Sequence, residues 1–405
     1  MGFGQALSGL NAAASNLDII GNNIANAGTV GFKSSTAQFA DVYANASVGL
    51  GTQLIGVKQS FDTGTISNTG NAFDIAVDGP KGFFRVLDAN GVIMYTRNGQ
   101  FGPDKDNFLV NAQGHQLTGY DVETGTRLQP IQIPTGNIPP QQTSDVDVRM
   151  NVDAGATEPT LPFDPDNPDS YNHSLPINIF DKQGTMHQMV QYFRKTATAN
   201  EWNVYYVVNG ADVTVNGVGP SDPATNPGTV TFNADGTLAT TVTPLTVEFT
   251  TTDTTLSLHG TQFTADYAGS TQYQGDFNYS FKQDGYPTGE YASTSIEPDG
   301  SIIANYTNGE SKEIGALVLA DFVSVNGLKA AGGNAWVETG ASGQPILGRP
   351  GSNSLATVIS MAVEESNVDL SQELVNLIIA QRTYQANSQT IKTQDQILQS
   401  LMSLR

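Results

Sequence analysis

Cysteine is absent from all 405 residues, which removes structural disulfides, thiolate metal ligands and cysteine nucleophiles from consideration. Positive charge is scarce: 18 Lys and Arg stand against 39 Asp and Glu, a net charge of −21. Neutralising nucleic acid or an anionic membrane surface takes clustered Lys and Arg, so neither is expected as a partner. No run approaches the roughly 20 apolar residues that a membrane span needs. The N-terminus does not read as a secretory signal, because the first basic side chain is Lys33 and no apolar core follows a charged start. Lack of cysteine is compatible with a reducing cytosol and equally with export of unfolded chain; if the protein leaves the cell, another route is expected.

Patterns for chemistry are equally thin. His115, His173, His187 and His259 are scattered, with no pair at i, i+4, so no metal site is expected from them. Asp164, Asp166 and Asp169 resemble a calcium loop, yet Pro168 occupies a ligand position and no Gly follows; a solvated acidic loop is the reading. Nucleophile-elbow, phosphate-loop and dinucleotide fingerprints are missing. The sequence therefore predicts no catalytic residue, no cofactor and no metal.

What the chain does hold is concentrated at its ends. Phe3, Leu10, Leu17 and Ile24 recur every seven residues, with Leu7, Ala14 and Gly21 in the alternate position, so one helical face about 36 Å long is apolar. At the other end Leu370, Leu377, Tyr384, Ile391 and Leu398 recur at the same period, with Leu374 and Met402 beside them. Each stripe is narrow. Gly9 and Gly21 each cost the first helix roughly 1 kcal/mol, so it is expected to be ordered only by a partner. Two readings stand: a local hairpin of the two helices, or pairing that also engages other copies of the chain. The second draws on the near absence of charge in residues 1–32 and on Gln381, Ser388 and Asp395 along the C-terminal stripe.

Between the ends, Gly, Thr, Asn and Ser abound and the pattern turns to short alternating runs. Asp88–Gly91, Asp181–Gly184, Asn233–Gly236 and Glu297–Gly300 are short polar loops closing on Gly, the signal of antiparallel hairpins. Trp202, Val204, Tyr206 and Val208 alternate with Asn203, Tyr205 and Val207, as a half-buried strand should. Residues 145–284 carry 17 acidic against 5 basic side chains and follow a Pro-rich boundary at Pro139-Pro140. The expected architecture is α+β and multi-domain: terminal helices pairing as a coiled-coil-like α-domain, and two mainly antiparallel β-domains, the outer inserted into the inner. The boundaries are a helical arm at 1–33, an extended connector at 34–70 with a Gly-rich patch at Gly49–Gly56, inner β-domain at 71–144 and 285–354, the inserted domain at 145–284, and a C-terminal helical arm at 355–405. Ala356–Glu365 reads as a first helical turn or two, and Asp369 or Ser371 as the N-cap of the last helix.

The run Asn16-Leu17-Asp18-Ile19-Ile20-Gly21-Asn22-Asn23-Ile24-Ala25-Asn26, continuing to Gly31-Phe32-Lys33, resembles the N-terminal signature of the bacterial flagellar rod, hook and hook-associated axial proteins. Phe73-Asp74-Ile75-Ala76-Val77, Tyr95-Thr96-Arg97-Asn98-Gly99-Gln100-Phe101 and Leu109-Val110 to Gly119-Tyr120 resemble that family's shared β-domain. Gly285-Tyr286-Pro287-Thr288-Gly289-Glu290 and Ala320-Asp321-Phe322 are similar to its hook branch, as is the length with a β-rich insert. The resemblance implies a self-assembling subunit of a curved helical tube, the flagellar hook, which transmits torque from rod to filament as a universal joint. It also implies export by the flagellar type III apparatus, addition under a hook cap, and contact with rod and hook–filament junction proteins. The assembly interface expected from the stripes is Phe3, Leu7, Leu10, Leu17, Ile24, Leu370, Leu374, Leu377, Tyr384, Ile391, Leu398 and Met402, and Asn23, Ala25, Asn26, Gly31, Phe32 and Lys33 carry the family signature. The alternative is a secreted β-domain adhesin or carbohydrate-binding module with oligomerising helical ends, which would need Trp202 and Trp336 together on an exposed face.

Overall fold

A computed structural model describes residues 2–42, 51–122, 124–208, 213–215, 218–221, 227–240, 244–249 and 262–403; His259 and the Gly49–Leu50 start of the Gly-rich patch lie outside them. The chain is mostly β-sheet with two long helices, α1 (Gly2–Ala25) and α2 (Leu370–Ser403). It divides into two compact units, one formed by 1–135, 292–305 and 311–405, the other by 136–291 and 306–310.

In the first unit α1 packs against α2 and against an antiparallel hairpin, Ser35–Asp41 with Thr52–Gln59. The stretch read as an extended connector is therefore largely this hairpin. Beyond it lies a sheet system centred on Phe83–Leu87, with Ile93–Thr96 on one side and Gln116–Tyr120 on the other. An aromatic cluster of Phe61, Phe83, Tyr95, Phe322 and Trp336 fills its core in edge-to-face pairs.

The expected helical turns at 356–365 are strands instead. Thr357–Ser360 pairs with Ile75–Asp78, and Ala362–Glu364 pairs with Ile66–Asn68. The β-branched run Thr357-Val358-Ile359 fits a pleated surface better than a helix. Met361 separates the two strands at φ 56°, redirecting the chain from one partner to the next. The last helix starts where expected, with Asp369 Oδ1 accepting from the amides of Ser371 (2.9 Å) and Gln372 (3.1 Å).

The second unit is a sandwich. Inner faces of a six-stranded and a four-stranded sheet share one core that includes Val146, Val148, Ile177, Phe193, Trp202, Val204, Tyr206 and Phe263. Trp202, Val204, Tyr206 and Val208 point inward from one strand, as their alternation predicts. Within this core the Tyr206 and Tyr267 hydroxyls meet at 2.8 Å and Tyr267 donates to Gln191 Oε1 at 2.9 Å.

All four predicted hairpin glycines, Gly91, Gly184, Gly236 and Gly300, have φ between 80° and 84°. The loops are built from the first residue as well: Asp88 Oδ1 accepts from the amides of Asn90 and Val92, and Asp181 Oδ1 from those of Gln183 and Thr185. The Val92 amide, and then that of Asn90, hold the exposed Asp88 carboxyl below its usual range.

The Gly99 carbonyl accepts from the Ile75 amide at 2.9 Å, and a methyl group on Gly99 would overlap the Ile75 carbonyl. Gly99→Ala is expected to cost the first unit more than about 4 kcal/mol. Calorimetry should then show that unit's transition lost or sharply lowered while the sandwich melts as in the wild type; an unchanged trace would contradict the packing described.

Candidate assembly surface and the node that holds it

The two helices run antiparallel, with Gly9 of α1 facing Asn387 of α2 and Asn23 facing Glu373. Their seam is made of small and polar residues. Ala6, Ala13 and Ile20 are buried on α1, a period of seven, and Ala380 is buried on α2. A shallow groove where α1, α2 and the hairpin meet is lined by Gly9, Ala13, Asn16, Phe39, Ala380 and Asn387.

This seam lies one step away from the predicted stripe. Phe3, Leu7, Leu370, Leu374, Tyr384, Leu398 and Met402 are exposed, and Leu10, Leu17, Ile24, Leu377 and Ile391 are only partly covered. The reason is steric: alanine and glycine let two helices approach closely, whereas leucine at each contact would hold them apart. The large side chains are displaced to the flanks, where Val375, Ile378, Ile379 and Ile397 join them in the open. α2 extends past α1, since with Gly9 opposite Asn387 the start of α1 faces about residue 394.

The signature residues anchor these helices. Asn23 is buried; it donates to the Ser35 carbonyl (2.8 Å) and to Glu373 Oε1 (3.1 Å) and accepts from the Ser35 amide (2.9 Å). Asn26 donates to the Asn22 carbonyl and ends α1, and Ala25 is exposed. Phe32 is half-buried, and its amide donates to Thr29. Gly31, at φ 70°, lies so close to the Arg97–Asn98 backbone that no side chain fits, and its amide donates to the Glu364 carbonyl at 2.7 Å.

Lys33 leads to a buried charged cluster. Glu364 Oε1 accepts from Lys33 Nζ at 2.6 Å and from the Gly64 amide at 2.8 Å, and Oε2 accepts from Arg97 Nη1 at 3.3 Å. All three side chains are fully buried. Lys33 also donates to the Asp62 carbonyl, and Arg97 donates to the carbonyls of Gly79 and Pro80 while its guanidinium lies 5.1 Å from the Phe83 ring centre. Burial lowers the pKa of both cations, and the Glu364 charge opposes that shift. Sequence reasoning reached Lys33 as a signature residue and missed Arg97 and Glu364 as its partners. Glu364 carries no mark of its own in the sequence, since it ends the run Met361-Ala362-Val363 and is followed by a second carboxylate, Glu365.

The residues weighed for other chemistry sit apart from one another. His187 faces Asp181 at 3.2 Å, His115 lies beside Asn111, and His173 stacks on Phe277 at 4.3 Å. Asp164 and Asn167 turn their side chains onto the amides of Asp166 and Asp169 to close a short 3-10 turn. Among the described residues no group of three His, Asp or Glu is placed to hold a metal. Trp202 and Trp336 are both buried, in different units, and offer no stacking face to a sugar.

Four known families match successive parts of the chain: "Flagella basal body rod protein" at residues 5–33, "Flagellar hook protein FlgE/F/G D1 domain" at 76–152, "Flagellar basal body protein FlaE D2 domain" at 151–286, and "Flagellar basal body rod FlgEFG protein C-terminal" at 359–404. The flagellar hook protein FlgE of Escherichia coli K12 is 42% identical over 418 residues, covering 100% of both chains. That of Brucella suis is 30% identical over 98% of this chain and 97% of its own. The crystal structure of Helicobacter pylori flagellar hook protein FlgE2 shares the fold, with a TM-score of 0.55 at 16% identity over 74% of this chain and all of that one.

Glu364→Gln leaves two buried cations without a counter-charge and should cost about 3–5 kcal/mol, read as a lower urea midpoint for the first unit. Lys33→Met leaves the Arg97–Glu364 pair intact and should cost less. Burial among aromatic rings lowers the His173 pKa, with Asp153 opposing. The unfolded chain therefore takes up a proton near pH 6.5 that the folded sandwich resists, and stability falls as pH drops below about 6.5. His173→Gln should flatten the dependence of the sandwich's melting temperature between pH 7 and 5; an undiminished slope would exclude His173 as its source.

Proposed function

This chain belongs to the flagellar hook protein family, and from that premise we propose that α1 and α2 form a coiled-coil-like pair whose exposed flanks join copies of the chain end to end. The protein is a structural subunit of the bacterial flagellar hook, in the extracellular part of the flagellum, and its family is a structural rather than a catalytic one. It polymerises into the flagellar axial structure.

The observation that carries the assembly reading is the row of large apolar side chains left open on both helices. Among the described residues, Leu7 and Phe3 on α1, and Leu370, Leu374, Leu398 and Met402 on α2, remain exposed. A seam of small residues lets the pair close while the flanks stay available, and head-to-tail contact through such flanks does not close on itself, so it propagates a filament. The signature residues would set where this arm leaves the β-structure.

The segment 145–284 acts, in this reading, as an outer domain inserted into the inner one. Its acidic, Thr- and Asn-rich surface suits weak polar contacts that slide, which a universal joint requires as the tube bends while turning. Rod and junction proteins at the two ends, a cap over the growing tip and the type III export apparatus are the further partners this function calls for.

Deleting residues 1–32 or 370–405 should leave a soluble monomer with its β-domains folded. Electron microscopy of the intact protein at high concentration should show tubes, and of either truncation none. Tubes from a truncated chain would overturn the assignment of the interface.

A further inference from the structure

We infer that the two flanks of the α1–α2 pair are complementary, one a ridge and the other a groove, and that assembly seats the ridge of one copy in the groove of the next. The inference rests on the assembly reading and deepens it by naming which surfaces meet.

An α-helix turns about 100° per residue, so the buried contacts of each helix fix where its other side chains lie. On α1 the line facing α2 runs through Ala6, Ala13 and Ile20. Gly9, Ala12 and Asn16 fall to one side of that line, and Phe3, Leu7, Leu10 and Leu17 to the other. On α2 the line facing α1 runs through Ala380 and Asn387. Ile379 and Thr383 fall to one side of it, and Leu370, Leu374, Leu377 and Tyr384 to the other. Antiparallel packing brings like sides together. The first side is the groove, to which both helices and Phe39 of the hairpin contribute. The second is the ridge, and it gathers the large residues that the seven-residue period singles out.

The two surfaces suit each other. Gly9, Ala12, Ala13 and Ala380 keep the groove open, Phe39 and Ile379 flank it, and its volume is about 320 Å³. A cavity of roughly 150 Å³ holds a benzene-sized group, so about two large side chains fit. Among the described residues no charged side chain lines it, so seating an apolar row there strips no charge of water. On the ridge Phe3 and Leu7 are 48% and 44% exposed, and Leu370 and Leu374 are each 46% exposed. A chain cannot place its own ridge in its own groove, because the two lie on opposite flanks of one helix pair. A second copy can, and this family polymerises. Each copy then gives a ridge and receives one, a head-to-tail contact that propagates instead of closing on a pair. Apolar contact is non-directional, so the seated row can shift as the tube bends.

The chain holds no cysteine, so introduced pairs report contacts without background. Full-length chains carry Ala12→Cys in the groove together with Leu7→Cys, Leu10→Cys or Leu17→Cys on the ridge, and the four single variants are the controls. Circular dichroism shows which variants fold as the wild type and electron microscopy which form tubes; the tubes are then oxidised and run on a non-reducing gel. At least one double variant should give a ladder of covalent oligomers from tubes and none from dilute monomer, while the single variants stay monomeric. Covalent dimers from a single ridge variant would set ridge against ridge, and tubes that yield no ladder from any double variant would leave the ridge outside the groove. Either result overturns the inference and leaves the hook assignment standing. Ala12→Phe, which fills the groove from its own chain, carries the test if the cysteine variants do not assemble. It should raise the concentration at which tubes appear about tenfold or more, and tubes at the wild-type concentration would overturn the inference. Failure of the wild-type chain itself to form tubes would instead count against the assembly reading.

Discussion

A carboxylate buried between two cations is an expensive thing for a protein to keep, and the first unit is arranged around one. Glu364 is useful only if Lys33, Gly64 and Arg97 arrive at it together. Each comes from a different part of the chain, so the hairpin, the short strands at 357–364 and the Gly31 turn are all constrained by the need to deliver a donor. An apolar cluster at the same place would hold the segments together with less specificity of direction. The aromatic core of Phe83, Phe322 and Trp336 supplies the bulk of the burial, and the charged node supplies orientation.

The sandwich works by a different logic. Its core is continuous aliphatic and aromatic packing between two sheets, with the hydrogen-bonded Tyr206, Tyr267 and Gln191 set within it. Its hairpins at Asp181–Gly184 and Asn233–Gly236 are set locally, by an Asp acceptor within the loop, Asp181 in one and Asp235 in the other, and a left-handed Gly at the fourth position. Such a domain can fold without help from distant sequence. The helical arm cannot: a seam of alanine, glycine and asparagine is too slight to be stable alone, and α1 gains its remaining contacts from the hairpin.

These differences explain what was legible in the sequence. The hairpin loops were, because a Gly at φ near 80° and an Asx acceptor leave a mark within four residues. The inward alternation of Trp202 to Val208 was legible for the same reason, a period of two within one strand. The helices were visible but their seam was not. Hydropathy ranks Leu above Ala, so the eye follows Phe3, Leu10 and Leu17, while close approach between helices selects Ala6, Gly9 and Ala13. Strands at 357–364 were hidden because their partners at 66–68 and 75–78 are nearly three hundred residues away. Glu364 stayed hidden for the same reason, standing beside a second carboxylate, Glu365.

The distance from Lys33 to Glu364, 331 residues, has a consequence for the order of events. A chain that is made or threaded from its N-terminus presents Lys33 early and Glu364 late, with the whole sandwich passing in between. Closing so large a loop is entropically slow, and until it closes Lys33 and Arg97 have no buried carboxylate to meet and stay hydrated. The first unit is thereby kept open while the sandwich, nearly contiguous in sequence, is free to form. The node is a completion mark: its three charges come together only in a chain that has arrived through Glu364.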